Sequence, residues 1–172
     1  MSRPYVHAAL NIMTRITHTA QDVEHPLTLP RHTGGVLLVI VTSDKGLAGS
    51  VNSAVLKQAE KIFHENILVD VIAIGRKALE FAQREKKTVL SSYTNVSDSV
   101  TVKDVEAMTM QVIQAFADTK YQKVTVVYQN FISTFEQTPV VRQILPISVP
   151  DIHDMMRGIK PKVGMYSDNR LA

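Results

Sequence analysis

The sequence has no cysteine, so a disulfide framework and a thiolate metal site are both excluded, and redox chemistry says nothing about compartment. No apolar run approaches the roughly 18 to 20 residues that span a bilayer. The N-terminus also lacks the basic-then-apolar order of a signal peptide. These absences predict a soluble chain with no visible targeting segment. Charge of one sign is nowhere concentrated. The formal net charge is +3 and the sequence pI about 9.2, yet no run of five or more like charges marks a nucleic-acid-binding face. Neither G-x-G-x-x-G nor G-x-x-x-x-G-K-[ST] is present, and no G-x-S-x-G follows a candidate strand. Internal repeats and low-complexity tracts are missing as well.

What is there is the balance of an ordinary globule: 172 residues, 45% hydrophobic and 20% charged, enough chain to bury a substantial core. The chain is organised around Gly35 to Leu56, GVLLVIVTSDKGLAGSVNSAVL. Gly35 to Val41 is apolar throughout instead of alternating, which predicts a strand buried on both faces. A polar turn follows, with Thr42, Ser43, Asp44, Lys45, Gly46 and Gly49. From about Leu47 the apolar period lengthens to that of a helix, with Val51, Ala54, Val55, Ala59 and Ile62 on one side. Strand, loop and helix open a βαβ unit.

Upstream, Val6, Ala9, Leu10, Met13 and Ile16 recur at helical steps from Pro4 to about Ala20, and Gln21 to Gly34 breaks the period as a linker. Downstream, Leu68 to Ile74 predicts a second strand ended by Gly75, Arg76 to Glu85 a second helix, and Lys87 to Tyr93 a third strand. Thr101 with Asp104 resembles a capping box. It opens a helix whose expected core stripe is Val102, Val105, Met108 or Thr109, Val112 and Phe116. Lys123 to Tyr128 is a fourth strand. Gln137 to Ile147 is a fifth, and its prolines, which cannot donate to a ladder, put it at an edge. The short connection from Gln129 to Glu136 suits an antiparallel hairpin, whereas strands joined by helices are parallel. The fold class is therefore α/β: a Rossmann-like, mostly parallel five-stranded sheet with helices on both faces and an antiparallel edge strand. The expected organisation is a helix over 1–20, a linker over 21–34, the α/β domain over 35–147 and a surface tail over 148–172.

Ligands of open α/β sheets sit beyond the carboxyl ends of the strands, which directs attention to Ser43 to Ser50. A helix N-terminus there could hold a phosphate. However, Lys45 precedes the glycines instead of following them, so the spacing favours a tight turn in which Ser43 or Asp44 satisfies backbone donors. The alternative from another class is a nucleotide- or phosphate-binding enzyme using Asp44, Lys45 and Ser50. A basic nucleic-acid module is a third reading. His25, His32 and His64 lack the spacing of metal ligands and are expected to face solvent. The residues alone stop at an α/β domain with no catalytic constellation, no cofactor and no metal site.

Two stretches carry a resemblance: VTSDKGLAGSVNSAVLK, Val41 to Lys57, and VYQNFISTFEQTPVVRQILPI, Val127 to Ile147. Together they resemble the gamma subunit of the F-type ATP synthase. Ser43-Asp44-Lys45-Gly46-Leu47-Ala48-Gly49 and Asn52 match that family's Ser/Thr-Asp-Arg/Lys-Gly-Leu-x-Gly followed by asparagine. Gln143-Ile144-Leu145-Pro146 matches its fifth strand, and Ser2-Arg3-Pro4-Tyr5 the lower part of its N-terminal helix. Ala48 stands where many members have cysteine, and Ser50 where many have glycine. The similarity covers Arg3 to about Ile147. The upper N-terminal helix and the C-terminal helix, the family's coiled-coil shaft, have no counterpart, so the chain is expected to correspond to the globular middle domain.

The resemblance implies a rotor, the central stalk that couples proton flow through a membrane ring to the catalytic head, without catalysis or cofactor of its own. Its implied partners are the alpha and beta subunits of the head, the epsilon subunit and the ring of c subunits, with no nucleic acid and with membrane only through the complex. The implied location is peripheral, on the cytoplasmic face of a bacterial inner membrane. By position, Ser43, Asp44, Lys45, Gly46, Gly49 and Ser50 would face the edge of the catalytic head. Asp151, His153, Asp154, Arg157, Lys160, Lys162 and Tyr166 would face epsilon and the c ring.

Overall fold

The structure is a computed structural model and describes residues 25–44, 49–95, 102–118, 120–131 and 137–148. The helix expected over Pro4 to Ala20, the Thr101 cap and the tail beyond Pro150 lie outside the described residues. The chain divides into two compact units, residues 1–29 with 147–172 and residues 30–146. In the first, the N–H groups of Thr28 and Leu29 turn back onto the His25 carbonyl at 2.8 and 3.2 Å, and the Ile147 N–H donates to the Leu27 carbonyl at 2.7 Å.

The second unit runs β1 (Gly35–Val41), α1 (Gly49–Glu65), β2 (Val69–Ile74), α2 (Arg76–Arg84), β3 (Thr88–Tyr93), α3 (Val102–Ala117), β4 (Tyr121–Phe131) and β5 (Gln137–Leu145). The five strands form one sheet in the order β3-β2-β1-β4-β5. The pairs β1·β2, β1·β4 and β2·β3 are parallel, and β4·β5 is antiparallel. This is the sheet that strands linked by helices, closed by one hairpin, must make. β1 lies at its centre, and Val36 to Ile40 are buried on both faces, as the unbroken apolar run requires.

Alternation along β1 divides the core. Val36, Leu38 and Ile40 share a cluster with Val55, Ala59, Ile62 and Phe63 of α1, Val69, Val71 and Ala73 of β2, and Ala78, Phe81 and Ala82 of α2. Leu37 and Val39 point to the other face. α1 and α2 thus cover one face, and they meet where Phe63 and Phe81 stack with centroids 5.6 Å apart. α3 must return from β3 at one edge to β4 beyond the centre, which a right-handed crossover accomplishes over the opposite face. Its Val112 and Phe116 are buried.

The strand expected at Lys123 to Tyr128 is longer, Tyr121–Phe131, because it pairs along both sides, with β1 and with β5. The expected edge is observed: Pro139 stands in β5 opposite Gln129. The expected core stripe of α3 fails at Val105, which is 50% exposed. Periodicity states which residues share a helix face, but not how far the sheet beneath that face extends.

Candidate functional site

The stretch singled out by sequence lies where β1 ends. β2 ends beside it, since Val41 is in register with Ile74, so the two strand-to-helix turns meet. Gly75 has φ of 90°, and a Cβ built there would sit 2.2 Å from the Thr42 carbonyl oxygen. The position is therefore closed to side chains on both conformational and steric grounds. This has a consequence for α2: its N-cap residue is a glycine with nothing to cap the helix with.

The cap is borrowed from the neighbouring turn. The Arg76 N–H donates to Asp44 Oδ1 at 2.9 Å, and the Ala78 N–H donates to Thr42 Oγ1 at 2.9 Å. Two of the N–H groups that a helix start leaves unsatisfied thus find oxygens on β1's turn. The debt is reciprocal. The Arg76 guanidinium donates from Nε and Nη2 to the Asp44 carbonyl at 3.2 and 2.8 Å. Asn52, buried in the first turns of α1, accepts from the Ser43 N–H at 3.1 Å and donates through Nδ2 to Ser43 Oγ at 2.8 Å. Asp44 is itself buried, a placement acceptable for a carboxylate only because its oxygens are used.

Of the residues expected at this site, Ser43 and Asp44 are therefore brought together with Thr42, Asn52, Gly75 and Arg76. Ser50 is exposed on the first turn of α1, which Gly49 opens. Lys45 and Gly46 lie outside the described residues, as do Asp151, His153, Asp154, Arg157, Lys160, Lys162 and Tyr166. Arg76 was not legible in advance. A strand ending in glycine gives a signal for the turn, but nothing in the spacing says that the next residue reaches back 32 positions. Ser43 and Asp44 do satisfy backbone groups, as the spacing suggested. Asp44, however, serves the start of the second helix.

A second polar cluster sits at the opposite ends of the strands. Lys120 Nζ and Tyr121 Oη both donate to Asp70 Oδ2 at 2.6 Å. Burial acts to raise the Asp70 pKa, but the bonds from Lys120 and Tyr121 and the lysine's charge outweigh it and hold the carboxyl below its ordinary value. Tyr121 is pushed up by burial and by its bond to the carboxylate. Nearby, Arg31 stacks over the Phe116 ring at 3.8 Å, bonds to the Phe116 carbonyl and donates to the Tyr121 carbonyl at 3.1 Å. Among the described residues no group of three or more histidines or carboxylates is placed to hold a metal ion, and no helix is long and apolar enough to cross a membrane. His25, His32 and His64 are exposed.

Comparison with known proteins agrees with the motif reading. The family profile described as ATP synthase matches residues 1–168. The ATP synthase gamma chain of Roseiflexus castenholzii is 31% identical over 155 residues, 87% of this chain and 53% of that one. The chloroplastic ATP synthase subunit gamma of Zea mays is 32% identical over 153 residues, 86% of this chain and 43% of that one. The chain thus spans about half the length of the curated relatives it matches. Among solved structures, the central stalk and c-ring of the Tetrahymena thermophila mitochondrial ATP synthase matches 99% of this chain and 80% of its own, with TM-score 0.61 and 20% identity. The rotor of the Euglena gracilis mitochondrial ATP synthase matches 90% and 60%, with TM-score 0.55 and 14% identity. At such identities the structural matches speak for the fold alone.

Proposed function

The chain belongs to the ATP synthase gamma-chain family, and on that premise we propose that it works as the central-stalk rotor, passing torque between a proton-driven c ring and the catalytic head during ATP synthesis. The observation that carries the reading is the family match over residues 1–168, motif included. The geometry at the motif supports it. Ser43, Asp44 and Asn52 have hydrogen bonds inside the fold, so they stiffen a turn instead of presenting reactive groups. Two strand-to-helix turns bonded to each other and backed by a close-packed sheet deform little under load.

In this reading the chain is the non-catalytic member of its complex and needs no cofactor. Its partners are alpha and beta at the Ser43 to Ser50 turn, and epsilon and the c ring at the tail, through Asp151, His153, Asp154, Arg157, Lys160, Lys162 and Tyr166. It sits against the cytoplasmic face of a bacterial inner membrane, held there by the complex. In this reading the chain is organised as the lower end of the N-terminal helix over 1–20, a linker over 21–34, the α/β domain over 35–147 and a surface tail over 148–172.

The test is co-purification. The tagged chain, expressed with alpha, beta, epsilon and the c ring of its source, is expected to retain at least one of them through size-exclusion chromatography. Calorimetric titration with magnesium-ATP is expected to give no saturable signal. Failure to retain any subunit, together with micromolar nucleotide binding or turnover, would replace the rotor with the nucleotide-binding enzyme.

A further inference from the structure

Resting on the rotor reading, in which Lys45 belongs to the turn that meets the head, we propose that Arg76 is a positioning residue for that turn. Its guanidinium fixes the peptide from which Lys45 departs, so that a residue outside the motif, at the start of α2, sets the direction in which the motif's cation is presented.

The start of α2 does not need this side chain. Its borrowed cap uses backbone donors, the Arg76 N–H to Asp44 Oδ1 and the Ala78 N–H to Thr42 Oγ1, each at 2.9 Å. Any residue with an N–H at position 76 would make the first of these bonds. The guanidinium makes a separate pair, from Nε and Nη2 to the Asp44 carbonyl oxygen at 3.2 and 2.8 Å. Two donors of one planar group converge on one oxygen, which fixes its direction as well as its distance.

That oxygen belongs to the peptide joining Asp44 to Lys45. Because a peptide is planar, a held oxygen also holds the Lys45 nitrogen, and the freedom left to Lys45 begins at its own Cα. The chain arrives at this peptide already braced. Ser43 is tied through its N–H and its hydroxyl to Asn52 of α1, at 3.1 and 2.8 Å. Asp44 is tied through its carboxylate and its carbonyl to Arg76 of α2. The turn after β1 is thus passed from its own helix to the neighbouring one immediately before Lys45. The bare backbone of Gly75 permits the reach, since a Cβ there would lie 2.2 Å from the Thr42 carbonyl oxygen.

Two blander roles fit less well. An arginine on a helix surface ordinarily pairs with a carboxylate one turn away, and Glu80 stands at that spacing. Lys77 makes the bond to Glu80 instead, at 2.7 Å, while Arg76 reaches back to an uncharged carbonyl. Nor is stability the evident gain. Arg76 is exposed and Asp44 buried, and a bond that water can replace at an exposed donor contributes little. Orientation is what such a fork supplies.

Two measurements on the chain separate placement from stability, with cooperative melting as the check that each variant folds. The first needs no partner: nitrogen-15 relaxation gives the backbone order parameter at Lys45. Arg76→Ala is expected to lower it by at least about 0.1, and Arg76→Lys to restore only part, because an ammonium lacks the planar fork. The second is calorimetric binding to the purified head of alpha and beta subunits. Arg76→Ala is expected to weaken it about tenfold, and the double variant with Lys45→Ala to bind no more weakly than Lys45→Ala alone, since Arg76 acts through Lys45. An order parameter that ignores the guanidinium would overturn the proposal, and so would losses that simply add in the double variant. Absence of wild-type binding would count against the rotor reading, and the order parameter at Lys45 would then decide the role of Arg76 by itself.

Discussion

Asp44 and Arg76, 32 residues apart in the chain, are joined by three hydrogen bonds: backbone N–H to carboxylate, and guanidinium Nε and Nη2 to backbone carbonyl. The carboxylate completes the start of α2, and the guanidinium holds the turn that carries the carboxylate. Removing either partner strands groups on the other.

Asp44→Ala is expected to cost about 1 to 2 kcal/mol, because a part-buried N–H at the start of α2 loses its acceptor. Arg76→Ala should cost about 1 kcal/mol, since its exposed side chain leaves a carbonyl that water can reach. Urea unfolding measures both, and the double variant should cost less than the sum because the pair is coupled.

Gly75→Ala is expected to destabilise by about 3 kcal/mol or more. The methyl would meet the Thr42 carbonyl at 2.2 Å, with φ already at 90°, so backbone strain and steric overlap act together. The damage should appear in hydrogen exchange at the starts of both α1 and α2, because the borrowed cap would be displaced with the turn.

Stability should fall at both ends of the pH scale through the Asp70 cluster. The Asp70 pKa is lowered in the folded state, so its contribution is present above the unfolded value, near 3.8, and is lost as pH falls through the folded one. Tyr121 is raised from its ordinary value of 10.0. Its contribution is full below that value and is lost as pH rises through the folded one. Asp70→Asn should flatten both limbs in chemical denaturation measured across pH. The acid limb should amount to no more than about 1 kcal/mol, given screening by solvent.

Arg31→Ala is expected to cost about 2 kcal/mol, combining the stacking on Phe116 with the two bonds to carbonyls. Arg31→Lys should recover less than half, because an ammonium cannot lie flat on the ring while donating to two carbonyls. Thermal melts of the three proteins test this.

What the linear order of residues determined is the set of elements and most of their pairing. A short, β-branched apolar run at Val36 to Val41 between glycines predicts an interior strand, helices between strands favour parallel neighbours, and a proline-bearing strand after a short connection belongs at an edge. The motif from Ser43 to Asn52 named the family by similarity and marked the turn where β1 meets α1. Tertiary structure alone decided which groups that turn would serve. Asp44 caps α2, Arg31 sits on Phe116, and Tyr121 reaches Asp70 across Gly35, because the sheet sets β1 between β2 and β4 and so brings together residues 32, 85 and 51 positions apart. The same holds for Val105. Periodicity assigns a residue to a face, but the finite extent of the packed layers decides whether that face is covered.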